Sequence, residues 1–80
     1  MVDIKIIYCA VWHYTDRAVS LATDLLKKFE YDIGNLILVP SDGGKFEVSV
    51  GDKLVYSKLK TMRHAEPGEV LGLVQSALKG

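Results

Sequence analysis

The chain has 80 residues, 49% of them hydrophobic and 25% charged, and its ten basic and ten acidic residues cancel. These proportions describe one ordered domain over residues 1–80 with material for a modest core. They exclude a disordered tail and any global attraction to nucleic acid or anionic lipid. A single cysteine excludes an internal disulfide and a cysteine-based zinc site, and it fits a reducing, cytoplasmic compartment.

In "VDIKIIY" the residues Val2, Ile4, Ile6 and Tyr8 alternate with Asp3, Lys5 and Ile7. A period of two predicts a first strand with one buried face, and it delivers Cys9 to the strand's C-terminal end. The charges inside this run argue against a signal-peptide core or a membrane span, which needs about 20 apolar residues. In "TDRAVSLATDLLKKFE" the positions Ala18, Leu21, Ala22, Leu25, Leu26 and Phe29 recur at three and four residue intervals, the pattern of an amphipathic helix. Thr15 or Asp16 is expected to cap its first turn, and Lys27 and Lys28 sit at the end its dipole favours.

After "YDIG", the run Leu36 to Val39 is apolar at every position and is stopped by Pro40 and "SDGG". Such a run predicts a second strand interior to the sheet or covered on both faces. Phe46, Val48 and Val50 then alternate with Glu47 and Ser49. Gly51-Asp52 fits a two-residue hairpin turn, and "KLVYSK" returns antiparallel. A polar loop, "KLKTMRHAE", leads through Pro67 and Glu69 to a second amphipathic helix with a stripe of Val70, Leu71, Val74, Ala77 and Leu78.

The order βαβββα predicts an α/β (α+β) fold: a parallel βαβ crossover, an added hairpin, and a four-stranded mixed sheet with both helices on one face. The other face is then partly bare. Ile7, Val55 and alternate members of Leu36 to Val39 are expected to contribute apolar surface there, through which a homodimer can form.

Cys9 falls where the first strand hands over to the helix, the place where α/β sheets tend to carry their sites and where a helix N-terminus stabilises a thiolate. The competing reading is a small hydrophobic residue in the core. Trp12 can shield the sulfur or stack on a ligand, and His13 can lower the thiol pKa or donate a proton; both can instead cap the core, which is the preferred reading for His13. Cys9, His13 and His64 are too few and wrongly spaced for a metal site, so neither metal nor cofactor is expected. "SDGGK" lacks the spacing of a phosphate loop and precedes a strand, so it reads as a turn. Lys53, Lys58, Lys60, Arg63 and His64 form a stretch without acids. A solvated sheet edge explains it better than RNA binding, because no RNA-reading aromatic motif accompanies it.

Together, "IIYCAVW" before an amphipathic helix, "GGKFEVSVGDKLVYSK" and "EPGEVLGLV" resemble the selenoprotein W-like group, also called the Rdx family, over nearly the whole chain. The most specific piece is Gly44-x-Phe46-Glu47-Val48 followed by the hairpin and Ser57-Lys58. The resemblance implies a thioredoxin-like fold and a thiol or selenol redox role, with a Cys-x-x-Cys or Cys-x-x-selenocysteine pair between the first strand and the first helix. The first member of that pair maps onto Cys9 and the second onto Trp12. An indole forms no disulfide, so dithiol exchange, which needs a resolving sulfur in the same molecule, is not expected.

On this resemblance Cys9 is the candidate redox thiol, with Ala10, Val11, Trp12, His13, Gly43, Gly44 and Phe46 lining its site. Two readings follow. Either Cys9 is a monothiol redox site resolved by glutathione or another small thiol, or the fold persists as a non-catalytic module. In the second, the loop from Cys9 to Tyr14, the "DGGKF" turn and the open sheet face contact a protein partner.

Overall fold

The computed structural model describes residues 1–79. It contains strands β1 (Val2–Cys9), β2 (Ile33–Ser41), β3 (Phe46–Val50) and β4 (Lys53–Ser57). The helices are α1 (Thr15–Phe29), a four-residue turn α2 (Lys58–Thr61) and α3 (Glu69–Lys79), with a 3-10 turn at Glu30–Asp32. The sheet order is β2-β1-β3-β4, with β1 and β2 parallel and the other pairings antiparallel. This is the mixed sheet that the strand and helix pattern predicts, and it is consistent with the thioredoxin-like fold that the resemblance implies.

The core is built on one face of the sheet. Ile4, Ile6 and Tyr8 of β1 lie opposite Val50, Val48 and Phe46 of β3, and Tyr56 of β4 lies opposite Val48. Ala18, Ala22, Leu25 and Phe29 of α1 and Val70 and Val74 of α3 join the same buried cluster, so both helices cover that face. Lys5, Ile7, Glu47 and Ser49 alternate onto the opposite, open face.

Three expectations are corrected. First, β2 is an edge strand bonded to β1 alone; its apolar run is not enclosed, and Ile37 and Leu38 are 38% and 37% exposed. The edge position also lets β2 continue through Pro40 to Ser41, because a residue without an N–H is tolerated where one side of the strand has no partner. Second, Val55 packs against the core and does not lie on the open face; a bulge between Val48 and Ser49 places an extra residue in β4 and inverts the alternation there. Leu54, 44% exposed opposite Ser49, takes its place. Third, α1 begins at Thr15 behind Tyr14, with no side-chain cap. Tyr14 is tied back through its N–H to the Cys9 carbonyl (3.0 Å), which draws Thr15 and Asp16 into the first turn itself.

The segment expected as a polar loop is held by two carboxylates. Glu47 of β3 accepts from the Ser57 hydroxyl and, at 2.9 Å, from the Lys58 N–H, while the Ser57 oxygen accepts from the Lys60 N–H (3.2 Å) and so caps α2. The pairing of Glu47 with Ser57-Lys58 in sequence is thus one hydrogen-bonded unit joining two strands to a helical turn. Farther on, Arg63 grips Glu69 with both nitrogens (2.7 and 2.9 Å), and Glu69 also accepts from the Glu66 N–H (2.9 Å), closing the first turn of α3. Arg63 and that backbone donor hold the Glu69 carboxyl down at about 2, against an ordinary 4.5.

Two outcomes follow from this packing. Leu25→Ala, at a fully buried position, should destabilise the fold by about 2–5 kcal/mol, whereas Leu26→Ala on the exposed side of the same turn should cost under about 1 kcal/mol, both read by urea unfolding. A depressed carboxyl adds stability above its unfolded value and loses it as the pH falls through its folded value. The urea midpoint of the wild type should therefore exceed that of Glu69→Gln at pH 6, and the gap should close between about pH 4.5 and pH 2.

Candidate functional site

At the end of β1 the chain reverses through Ala10–Tyr14 before entering α1. The turn is closed by its own backbone: His13 N–H donates to Ala10 O (3.1 Å) and Tyr14 N–H to Cys9 O (3.0 Å). His13 takes a left-handed conformation (φ 61°), which histidine tolerates better than most side chains. Neighbouring chain fixes the base of the turn, since Cys9 N–H donates to Lys45 O (2.8 Å) and Ala10 N–H to Ser41 O (3.0 Å).

Within this frame the two positions of the Cys-x-x-Trp segment have opposite environments. Cys9 is 0% exposed, yet it stands outside the helix-face core cluster. Its sulfur accepts a hydrogen bond from the Trp12 backbone N–H at 3.3 Å. Trp12 is 59% exposed and Val11 65%. Position 9 is the inner member of the pair and position 12 the outer one, which is the one a solution partner meets first.

The Trp12 ring is seated by the glycine turn. Gly44 is buried at φ 72°, and a Cβ built there would fall 2.6 Å from the indole, so the ring lies directly on bare backbone. Gly43 (φ 70°) has open space around it, so it shapes the turn without lining the site. Ala10 is half-buried against the core, His13 is exposed, and Phe46 is buried opposite Tyr8 on the helix face. The structure therefore brings together Cys9, Trp12 and Gly44 and leaves His13, Gly43 and Phe46 in other roles. Among the described residues no three His, Cys, Asp or Glu side chains form a metal-holding group.

Sequence reasoning places Tyr14 only at the end of the contact loop and misses the aromatic and cationic contacts it makes. Its ring meets Trp12 edge-on (centroids 6.3 Å apart) and His64 edge-on (4.8 Å), with the Lys58 ammonium 5.7 Å from its centroid. Burial, with help from Arg17 and Lys58, pushes the His64 imidazole below its ordinary 6.5. The basic stretch is consequently broken up: Arg63 is paired with Glu69 and Lys58 sits over Tyr14. No sequence spacing signals the contacts of Tyr14 with His64 and Lys58, because they join residues 50 and 44 positions apart.

The Gly44 contact sets a test with Trp12, the chain's one tryptophan, as its probe. Gly44→Ala should displace the indole and shift its emission to the red, while Gly43→Ala, strained in φ alone, should leave the emission where it is.

Comparison with known proteins places these features. The model of the Rdx family matches residues 3–76. No curated protein sequence matches the chain significantly. Among solved structures, the chain is similar to a selenoprotein W-related protein from Vibrio cholerae, with a TM-score of 0.89, 23% identity and 96% of each chain covered. It is also similar to a protein from Bordetella parapertussis, with a TM-score of 0.89, 26% identity, and 95% of this chain and 96% of that one covered.

Proposed function

The chain belongs to the Rdx family, and we propose that it keeps the family's redox fold as a recognition module, with the loop from Cys9 to Tyr14 contacting a protein partner and Cys9 retained as an inner, single thiol. One observation carries this reading: the outer position of the motif holds an exposed indole, and the one thiol is fully enclosed. Nucleophilic exchange needs a sulfur that a disulfide substrate can approach in line. The residue that meets the substrate first offers no nucleophile here. It offers a large amphipathic ring beside an exposed valine, the kind of surface that anchors a protein contact.

Monothiol exchange is the second reading, and the Trp12 N–H to Sγ bond favours it. This 3.3 Å bond links the backbone of position 12 to the sulfur, so a ligand that moves the turn at Trp12 also changes the surroundings of Cys9. In that event the Cys9 thiolate attacks one sulfur of oxidised glutathione, a protein–glutathione disulfide forms, and reduced glutathione leaves. A second small thiol then releases Cys9 in the same manner.

Oxidised glutathione and intact-mass measurement separate the two. Under the recognition reading the native protein stays unmodified while the urea-unfolded chain is modified readily. A stoichiometric adduct that forms on the native protein within minutes, and that Cys9→Ser abolishes, would establish the monothiol reading. In partner capture, Trp12→Ala should lose the partner and Cys9→Ser should keep it.

A further inference from the structure

We propose that the groove between α1 and the stretch from His64 to Leu71 is a docking site for an extended protein segment that alternates basic and apolar side chains. This groove, of about 510 Å³, is separate from the Cys9 turn and stands on its own observations. Its volume is in the range of ligand-binding clefts. Leu21, Phe46, Val70 and Leu71 supply apolar walls and floor.

The rim supplies the charge. Asp16 and Asp24 line it from α1 and Glu66 from the opposite bank. Arg63–Glu69 is the only ion pair among the described residues, so none of these three carboxylates is neutralised by one. Arg17 is the one full cation among the lining residues; His64, its imidazole depressed by burial, is neutral at pH 7. Three carboxylates against one guanidinium over an apolar floor favour a ligand that is cationic at its ends and apolar between them.

The spacing of the carboxylates selects two separated cations over one, as an extended peptide supplies them. Asp16 and Asp24 are eight residues apart on one helix, about 12 Å along its axis at roughly 1.5 Å per residue. No single ammonium group spans that distance. An extended chain rises roughly 3.3 Å per residue and shows every second side chain on one face, so residues i, i+2 and i+4 present two cations about 13 Å apart with an apolar side chain between them.

The probe is the pentapeptide amide acetyl-Lys-Ser-Leu-Ser-Lys, titrated into uniformly 15N-labelled full-length protein, with acetyl-Glu-Ser-Leu-Ser-Glu amide as the charge-reversed control. The basic peptide should move the amide signals of Ser20, Leu21, Ala65 and Leu71, and its affinity should fall with added salt. Asp24→Asn combined with Glu66→Gln should weaken it about fivefold or more, the scale of losing two exposed charge contacts. Both substitutions are at exposed positions, and an unchanged background spectrum verifies that the variant is folded. The proposal is overturned by any of three results: no signal shifts at millimolar peptide, equal binding of the acidic control, or shifts confined to the open sheet face at Lys5, Ile37 and Leu54.

Discussion

Everything at the candidate site depends on how the chain leaves β1. Three hydrogen bonds meet at Cys9: its N–H to Lys45 O, its carbonyl from Tyr14 N–H, and its sulfur from Trp12 N–H. The first ties the residue to the glycine turn, the second starts α1 behind Tyr14, and the third folds position 12 back toward the sulfur. Because the backbone makes all three donations, the turn can be closed whatever side chain occupies position 12. That explains how a tryptophan can occupy a position to which the resemblance assigns a second sulfur or selenium, with the turn still closed by backbone.

What changes with the side chain is the chemistry offered to solution. A cysteine at position 12 would be a small nucleophile at the mouth of the loop. The indole is larger, lies on Gly44 and leaves more than half of its surface open. The glycine turn thereby becomes a seat for an aromatic ring, and contact through Tyr14 continues the ring surface toward His64. On the proposed recognition reading, the same backbone presents an amphipathic anchor where the resemblance implies an exchange reaction.

Much of this was legible in the sequence, and the limits have physical causes. Alternation in Val2–Tyr8 and Phe46–Val50 and the helical stripes of Ala18–Phe29 and Val70–Leu78 identified the elements, because each buries one face against the same core. Leu36–Val39 misled because composition reports how apolar a strand is and not how many neighbours it has; its place at the edge is a property of strand order. The bulge that turns Val55 inward is equally invisible to alternation. At the site, Cys9 and Trp12 stood out as residue types, but which of them is inner and which outer is set by the turn, and its hydrogen bonds to Lys45 and Ser41 come from distant chain. The pairing of Glu47 with Ser57-Lys58 was visible as a motif and became intelligible only as one carboxylate serving two donors.

The central claim is that the turn keeps the geometry of a redox pair with position 9 inside and position 12 outside. Trp12→Cys tests it directly, by following alkylation of the reduced, native variant with iodoacetamide and peptide mass mapping, together with disulfide closure under mild oxidation. The geometry predicts that the introduced thiol is labelled first while Cys9 stays protected, and that oxidation joins the two sulfurs within one chain. Labelling of Cys9 at an equal or faster rate, or failure of the two to close, would contradict it.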